Sequence, residues 1–414
     1  MRILYVADAR SPIALGWIGS FVEAGHEVHV VSTNPCGPVP GAASTEVVPV
    51  GFSGLRGDRL GRQPDGEVEG RVSRQAMPWL LGAGSIRLRL SLRHWLGPAT
   101  ILPASRRLRA ILAHRKPDLV HALRLPMEGM LAAAADPACP LLISIWGNDF
   151  TLHAPAAPGM RRLTRAALRR ADGLHADSRR DIRLAASWGF AQGKPTAVLP
   201  SNGGVRLEWF HPARGGQGAP LSGRLADAFG DGDEHAVNPR GFRGYVRNDT
   251  FFRTASLLQA PRPGLRWLCP SMAGDSEAER WVGRLGIGKS VHFLPRLGPA
   301  EMAEVFRRSA VSVSPSVHDG TPNTLLEAMA CGAFPICGDL ESIREWIEDG
   351  VNGILLDAGK PAQWADAVGR VLDDAAWRAR AAEKNWDLVQ KAERQRVFTE
   401  AESFCRSVAG GRSA

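Results

Sequence analysis

Short runs of apolar residues recur along the chain, separated by stretches with helical spacing. Ile3-Leu4-Tyr5-Val6 is continuous and apolar, as a strand buried on both faces must be. Ile13 to Ala24 reads as a helix closed by Gly25, and Glu27-Val28-His29-Val30-Val31-Ser32 is a second strand. That strand–helix–strand order predicts a parallel sheet covered by helices. A short strand over 45–50, then strands at 118–122, 141–146, 173–177 and 196–199, extend the pattern. Residues 35–75 are rich in Gly and Pro and read as a long surface excursion.

A second alternation begins near Ala236, with strands at 266–269, 291–294, 311–314, 334–337 and 353–356. Between the two series, residues 213–235 turn Gly-rich and then acidic, which marks a connector. The reading is α/β: two Rossmann-like, doubly wound domains. Residues 1–205 form the first, 206–236 the linker, 237–385 the second, and 386–414 a helical tail returning toward the first.

The 414 residues suffice for two ordinary cores. Six scattered cysteines form no Cys-x-x-Cys pair, so reduced thiols in a cytoplasmic protein are expected and a zinc site is not. No apolar run reaches the length of a membrane span, and Asp8 interrupts the N-terminus too early for a secretory leader. The net charge is +9, concentrated in residues 84–116, with eight basic residues and no acid, and in 161–183. Met77 to Gly97 interleaves Arg87, Arg89 and Arg93 with Trp79, Trp95 and several Leu. That mixture suits an anionic membrane surface as a peripheral contact. No nucleic-acid recognition motif accompanies the charge.

The chemistry concentrates in Ser314-Pro315-Ser316-Val317-His318-Asp319-Gly320-Thr321-Pro322-Asn323-Thr324-Leu325-Leu326-Glu327. A strand ends, a loop follows, and a helix opens with Thr321 as its cap and Pro322 at its first position. Free N–H groups at such an opening suit a diphosphate, so the segment Gly320, Thr321, Pro322, Asn323 and Thr324, with Pro322 shaping the turn rather than donating, is a donor-binding candidate. Asp319 can reach a sugar hydroxyl from the loop. Glu327 lies deeper and can accept two hydrogen bonds from a ribose diol.

This run resembles the donor-site motif of glycosyltransferase family 4, retaining enzymes with the GT-B fold. That family places two Glu seven residues apart within Pro-Ser…Gly-x-Pro…Leu-Glu-Ala-Met-Ala-x-Gly. Here Asp319 stands where the first Glu is usual and Glu327 matches the second. The resemblance continues through residues 338–353 and, more weakly, through Lys116-Pro117-Asp118, Trp146-Gly147-Asn148-Asp149 and Asn202-Gly203-Gly204. It implies a diphosphate clamp of Arg240 with Arg247, Arg243 being the next candidate, in place of the family's Arg and Lys. It places Arg10, Ser11, Trp146 and Asp149 on the acceptor side. Trp146 stands where many members have His, and the usual Gly-Gly after the first strand is replaced by Asp8-Ala9-Arg10-Ser11.

The implied activity moves a sugar from a UDP- or GDP-sugar to a glycan, lipid-linked or small-molecule acceptor, in polysaccharide biosynthesis for example. No metal or other cofactor is required. A dinucleotide-dependent oxidoreductase would need Gly-x-Gly-x-x-Gly after the first strand, which is absent. A GT-B-fold epimerase and a catalytically silent nucleotide-sugar binder are the remaining alternatives.

Overall fold

The computed structural model describes residues 1–53, 91–213, 223–230 and 234–411. Most of the excursion expected over 35–75, residues 77–90 of the basic stretch, and residues 214–222 and 231–233 of the connector lie outside the described residues. The chain divides into two compact units. One comprises residues 1–176, 181–202 and 401–414; the other comprises 177–180 and 203–400.

In the first unit seven strands form one parallel sheet: β1 (Arg2–Ala7), β2 (Glu27–Ser32), β3 (Ser44–Val47), β4 (Leu119–Ala122), β5 (Leu141–Ile145), β6 (Gly173–Ala176) and β7 (Thr196–Val198). Their order is β3-β2-β1-β4-β5-β6-β7, with Ile3 opposite Leu119. The order reverses direction between β1 and β4. Such a switch point leaves a crevice at the strands' carboxyl ends, because the flanking connections run to opposite faces. One face of the sheet packs Leu4, Val6, Val120, Ile143 and Leu174 into a core with Leu108, Leu131 and Leu168. Period-2 alternation sends Tyr5, His121, Ser144 and His175 to the other face. There they are buried, and His121 Nε2 and His175 Nδ1 both meet the Ser144 hydroxyl, at 2.8 and 2.9 Å. Burial depresses both imidazoles, His175 to about 4, so they are neutral hydrogen-bonding groups.

The second unit repeats the plan with six parallel strands: β8 (Glu234–Val237), β9 (Leu265–Cys269), β10 (Val291–Phe293), β11 (Val311–Ser314), β12 (Phe334–Gly338) and β13 (Ile354–Leu356). Their order is β10-β9-β8-β11-β12-β13, with the switch point between β8 and β11. Adjacent strand residues feed opposite cores. Trp267, Val313 and Ile336 join Phe251, Phe252 and Trp364, whereas Val237, Leu268 and Cys337 join Phe306, Leu326 and Met329.

Two boundaries differ from the sequence reading. Residues 206–236 are not a free linker. Val205, Phe210, Leu225 and Ala228 are buried in the second unit's core, and β8 already begins at Glu234. The Gly and acidic residues there masked apolar anchors spaced too irregularly to show a period. The tail divides as well. A helix runs over Arg394–Gly410, and only residues from 401 onward belong with the first unit. Within that unit His26 Nε2 lies 3.1 Å from the Glu402 carboxylate.

Candidate active site

The second unit's switch point brings together what the sequence separates by 79 residues. β8 delivers Asn238 and Arg240; β11 delivers the 315–322 loop and the helix Asn323–Cys331. Arg240 donates from Nη2 to Asp319 Oδ2 at 2.6 Å and from Nη1 to the Thr324 hydroxyl at 3.2 Å. Its backbone N–H donates to Asn238 Oδ1 at 3.1 Å, which fixes the turn leaving β8. The guanidinium also lies 5.9 Å from the Tyr245 ring centre.

The pair is nearly buried, with side chains 10% and 15% exposed. Burial pushes Asp319 upward, and Arg240, the Ser316 hydroxyl and the Gly320 N–H pull it back. A nearly buried ion pair holds its geometry only when further hydrogen bonds satisfy it, and these do. Among the described residues, Arg240 Nε and Asn238 Nδ2 are buried donors without a partner. A buried unpaired donor costs about 1–3 kcal/mol, a cost tolerated where an anionic ligand can supply the acceptor.

Glu327 is the fifth residue of the helix Asn323–Cys331 and is partly buried. It makes no hydrogen bond or ion pair among the described residues. Burial raises its carboxyl to about 7, opposed by the positive charges of Arg206 and then Arg240. The same helix buries Leu325, Leu326, Ala328 and Met329 on its other sides, so Glu327's orientation is set by core packing. Gly332 ends it at φ 88, a left-handed cap conformation that favours glycine. The β11–β12 edge is equally tight. A Cβ on Gly338 would come 2.1 Å from the Ser316 carbonyl oxygen.

Several expected details change. Thr321 does not cap the helix. Its hydroxyl accepts from Trp346 Nε1 at 3.0 Å, Pro322 occupies the cap position, and the helix starts at Asn323. In the loop, Asp319 is bound to Arg240. Arg247 lies beside the same loop, its backbone N–H donating to the Pro315 carbonyl at 2.9 Å, while its side-chain fork grips Asp249 with two bonds of 2.8 Å. Arg243 stays in Arg240's loop, donating from Nε to the Arg240 carbonyl and from Nη1 to the Tyr245 hydroxyl. The second cation whose field reaches Glu327 is Arg206, which the sequence reading missed. It follows two glycines of positive φ, Gly203 and Gly204, and that doublet was the available signal.

In the first unit, Ser11 caps the helix Pro12–Glu23, and Arg10 is exposed and forks to Asp8. Trp146 is partly buried, beneath the Arg124 guanidinium at 5.7 Å. Asp149 is fully buried. It accepts from Arg124 Nε and from the N–H groups of Trp146 and Leu125, at 3.0 to 3.2 Å, and so shapes the loop. Among the described residues no group of three His, Cys, Asp or Glu side chains could hold a metal ion.

Two doubly wound units, one carrying a cation, a helix opening and a deep carboxylate at its switch point, define the GT-B class of sugar-transferring enzymes. Comparison places the chain within that class. Residues 12–202 match the glycosyl transferase 4-like domain and residues 248–374 match glycosyl transferases group 1. The chain belongs to the glycosyltransferases of the family 4 type. It is 29% identical over 200 residues to a D-inositol 3-phosphate glycosyltransferase of Thermobispora bispora, covering 44% of this chain and 43% of that protein. Over 108 residues it is 35% identical to the enzyme of that name from Corynebacterium jeikeium, covering 25% and 26%. These matches thus span less than half the length of these relatives. Among solved structures, the sucrose-phosphate synthase of Thermosynechococcus elongatus aligns over 99% of both chains, with a TM-score of 0.69 and 16% identity. Anabaena HepE in complex with UDP aligns over 98% of this chain and 100% of that one, at 0.70 and 14%. At these identities the likeness is one of fold.

Proposed function

We propose that the protein transfers a sugar from a nucleoside-diphosphate sugar to an acceptor hydroxyl, with retention of anomeric configuration. The observation that carries this reading is the convergence of Arg240, Asp319, Thr324 and Glu327 from two strand ends at one switch point. Arg240 and the helix opening at Asn323 face the diphosphate, with Arg206 as the second cation. Glu327 accepts the ribose hydroxyls. Asp319 positions Arg240 and, when phosphate oxygens compete for that guanidinium, turns a carboxylate toward the sugar. HepE has been solved in complex with UDP and with UDP-glucose, which supports a UDP-sugar as the first donor to test.

In the reaction the bond from C1 to the leaving phosphate oxygen breaks while an acceptor oxygen bonds to C1 on the same face. The acceptor proton passes to that phosphate oxygen, and the nucleoside diphosphate departs. Negative charge grows on the phosphates, where the arginines and the helix N–H groups stabilise it without a metal ion. The carboxylates hold substrate; the scheme has no enzymic nucleophile, unlike a retaining glycosidase. The test is thermal stabilisation by UDP- and GDP-sugars, followed by measurement of released diphosphate and of product anomer. An absence of stabilisation by every nucleotide-sugar overturns the reading, and an inverted product overturns retention.

Among the described residues no helix is long and apolar enough to cross a membrane. The basic apolar patch supports peripheral contact with anionic lipid, on the cytoplasmic side, and hence a lipid-linked acceptor. Of that patch, Leu92, Trp95 and Leu96 are described, and they are 48%, 63% and 51% exposed, with Leu102 nearby in sequence at 69%.

A further inference from the structure

The first unit has a pocket of its own at its switch point. β1 leads into Asp8 and Ser11, and β4 leads into Leu123, Arg124, Pro126, Met127 and Glu128. The pocket has a cavity volume of about 120 Å³. That is well below the several hundred Å³ of a drug-sized site. The pocket is open to solvent, so a ligand of one ring seats in it with part of its surface left outside.

Glu128 is the unexplained group in this pocket. It is 3% exposed and lines the cavity. Its Oε1 accepts from the Thr33 hydroxyl at 2.6 Å, and no other described side chain hydrogen-bonds or ion-pairs with it. The nearest guanidinium, Arg124, is committed to Asp149, Asn148 and His153, at 2.8 to 3.0 Å. Burial accordingly raises the Glu128 carboxyl to about 6, with Thr33, Arg124, its own backbone N–H and Arg93 compensating only in part. The backbone that presents it is strained. Met127 sits at φ 68, ψ −60, which costs a non-glycine residue about 1–3 kcal/mol. A strained loop holding a buried, half-satisfied carboxylate against an open pocket fits a binding group better than a structural one.

The wall and the charge balance indicate the ligand. Trp146 lines the same pocket, and an indole face packs the C–H face of a sugar ring. Asp8 and Glu128 balance Arg93 and Arg124 among the lining residues, so no excess of positive charge favours an anion. We propose that this pocket binds an uncharged, hydroxyl-rich ring, a sugar or cyclic polyol, with Glu128 accepting hydrogen bonds from its hydroxyls. Resting on the transferase reading, this ring is the acceptor, and Glu128 is the residue that selects it.

The test uses the full-length protein with myo-inositol and methyl α-D-glucopyranoside as probes, followed by saturation-transfer NMR and calorimetry. At least one probe should bind in the millimolar range. Glu128→Gln should weaken it tenfold or more, and Glu128→Asp, which retracts the carboxylate by one methylene, should weaken it as well. UDP should stabilise all three proteins equally, which reports folding and the donor site separately. Failure of both probes to bind the native protein, while UDP still stabilises it, overturns the pocket assignment and leaves the donor reading standing. Unchanged probe binding in Glu128→Gln overturns it too. So does loss of the UDP effect in both variants, since the carboxylate would then serve the fold. A native protein that binds a probe but no nucleotide overturns the donor reading alone.

Discussion

Replacing Glu327 by Gln should make the protein more stable and less able to bind its donor. The carboxyl is raised from 4.5 to about 7, so between those values the native state holds a proton that the unfolded chain has lost. Stability from this group is therefore greatest below pH 4.5 and falls as pH rises through 7. About 2.5 units correspond to roughly 3 kcal/mol as a ceiling, at about 1.36 kcal/mol per unit. Glu327 is only partly buried, so solvent screening reduces this to about 1–2 kcal/mol. The amide has the same shape and no charge to desolvate. In a unit of this size each kcal/mol moves Tm by about 2–4 °C, so the variant should melt about 2–8 °C above the native protein at pH 8. The gap should close toward pH 4.5. At pH 8 the same change removes an ionised acceptor worth about 1.5–3 kcal/mol, and UDP should bind about 10- to 150-fold more weakly. The assay is differential scanning fluorimetry from pH 4.5 to 8, with and without UDP, backed by calorimetry. A variant less stable than native at pH 8, or a gap independent of pH, would refute the assignment of a desolvated, unpartnered carboxylate. Undiminished UDP affinity would refute its role toward ribose.

Arg240→Ala should abolish UDP stabilisation and cost about 3–5 kcal/mol, because it leaves Asp319 nearly buried and unpaired; adding Asp319→Asn should restore most of the stability but none of the binding, as denaturant titration and calorimetry will report. Gly338→Ala should destabilise by more than 2 kcal/mol in urea denaturation, since the new Cβ meets the Ser316 carbonyl oxygen at 2.1 Å. His175 is held at about 4 against an ordinary 6.5, so the unfolded chain takes up the proton first and stability is lost as pH falls from 6.5 to 4. That loss is up to about 3 kcal/mol, and it should flatten in His175→Asn, measured by urea denaturation across that range. Trp95→Ser with Leu96→Ser should lower binding to anionic vesicles at low salt in a sedimentation assay, and equal binding would remove the membrane proposal.

The periodic features of the chain were readable before folding. Val311-Ser312-Val313-Ser314 and its counterparts announced buried strands, and Pro322 with Gly332 bracketed the helix Asn323–Cys331 within a residue. The spacing from Asp319 to Glu327 was legible because both belong to one local segment, where sequence distance is spatial distance. Arg240 could be named by its place after β8, but its partners could not. Only the β8–β11 adjacency, a long-range pairing, brings its guanidinium to Asp319 and Thr324.

The sequence by itself determined the alternating architecture and the strand–loop–helix form of the 314–332 segment, because apolar period and capping chemistry act within a few residues. Tertiary structure alone decided which charges meet. It bound Asp319 to Arg240, diverted Arg247 to Asp249, sank Asp149 beneath its own loop, and set Glu128 against a pocket with Trp146. Electrostatic energy depends on distance and on exclusion of water, and both are properties of the packed fold rather than of chain order.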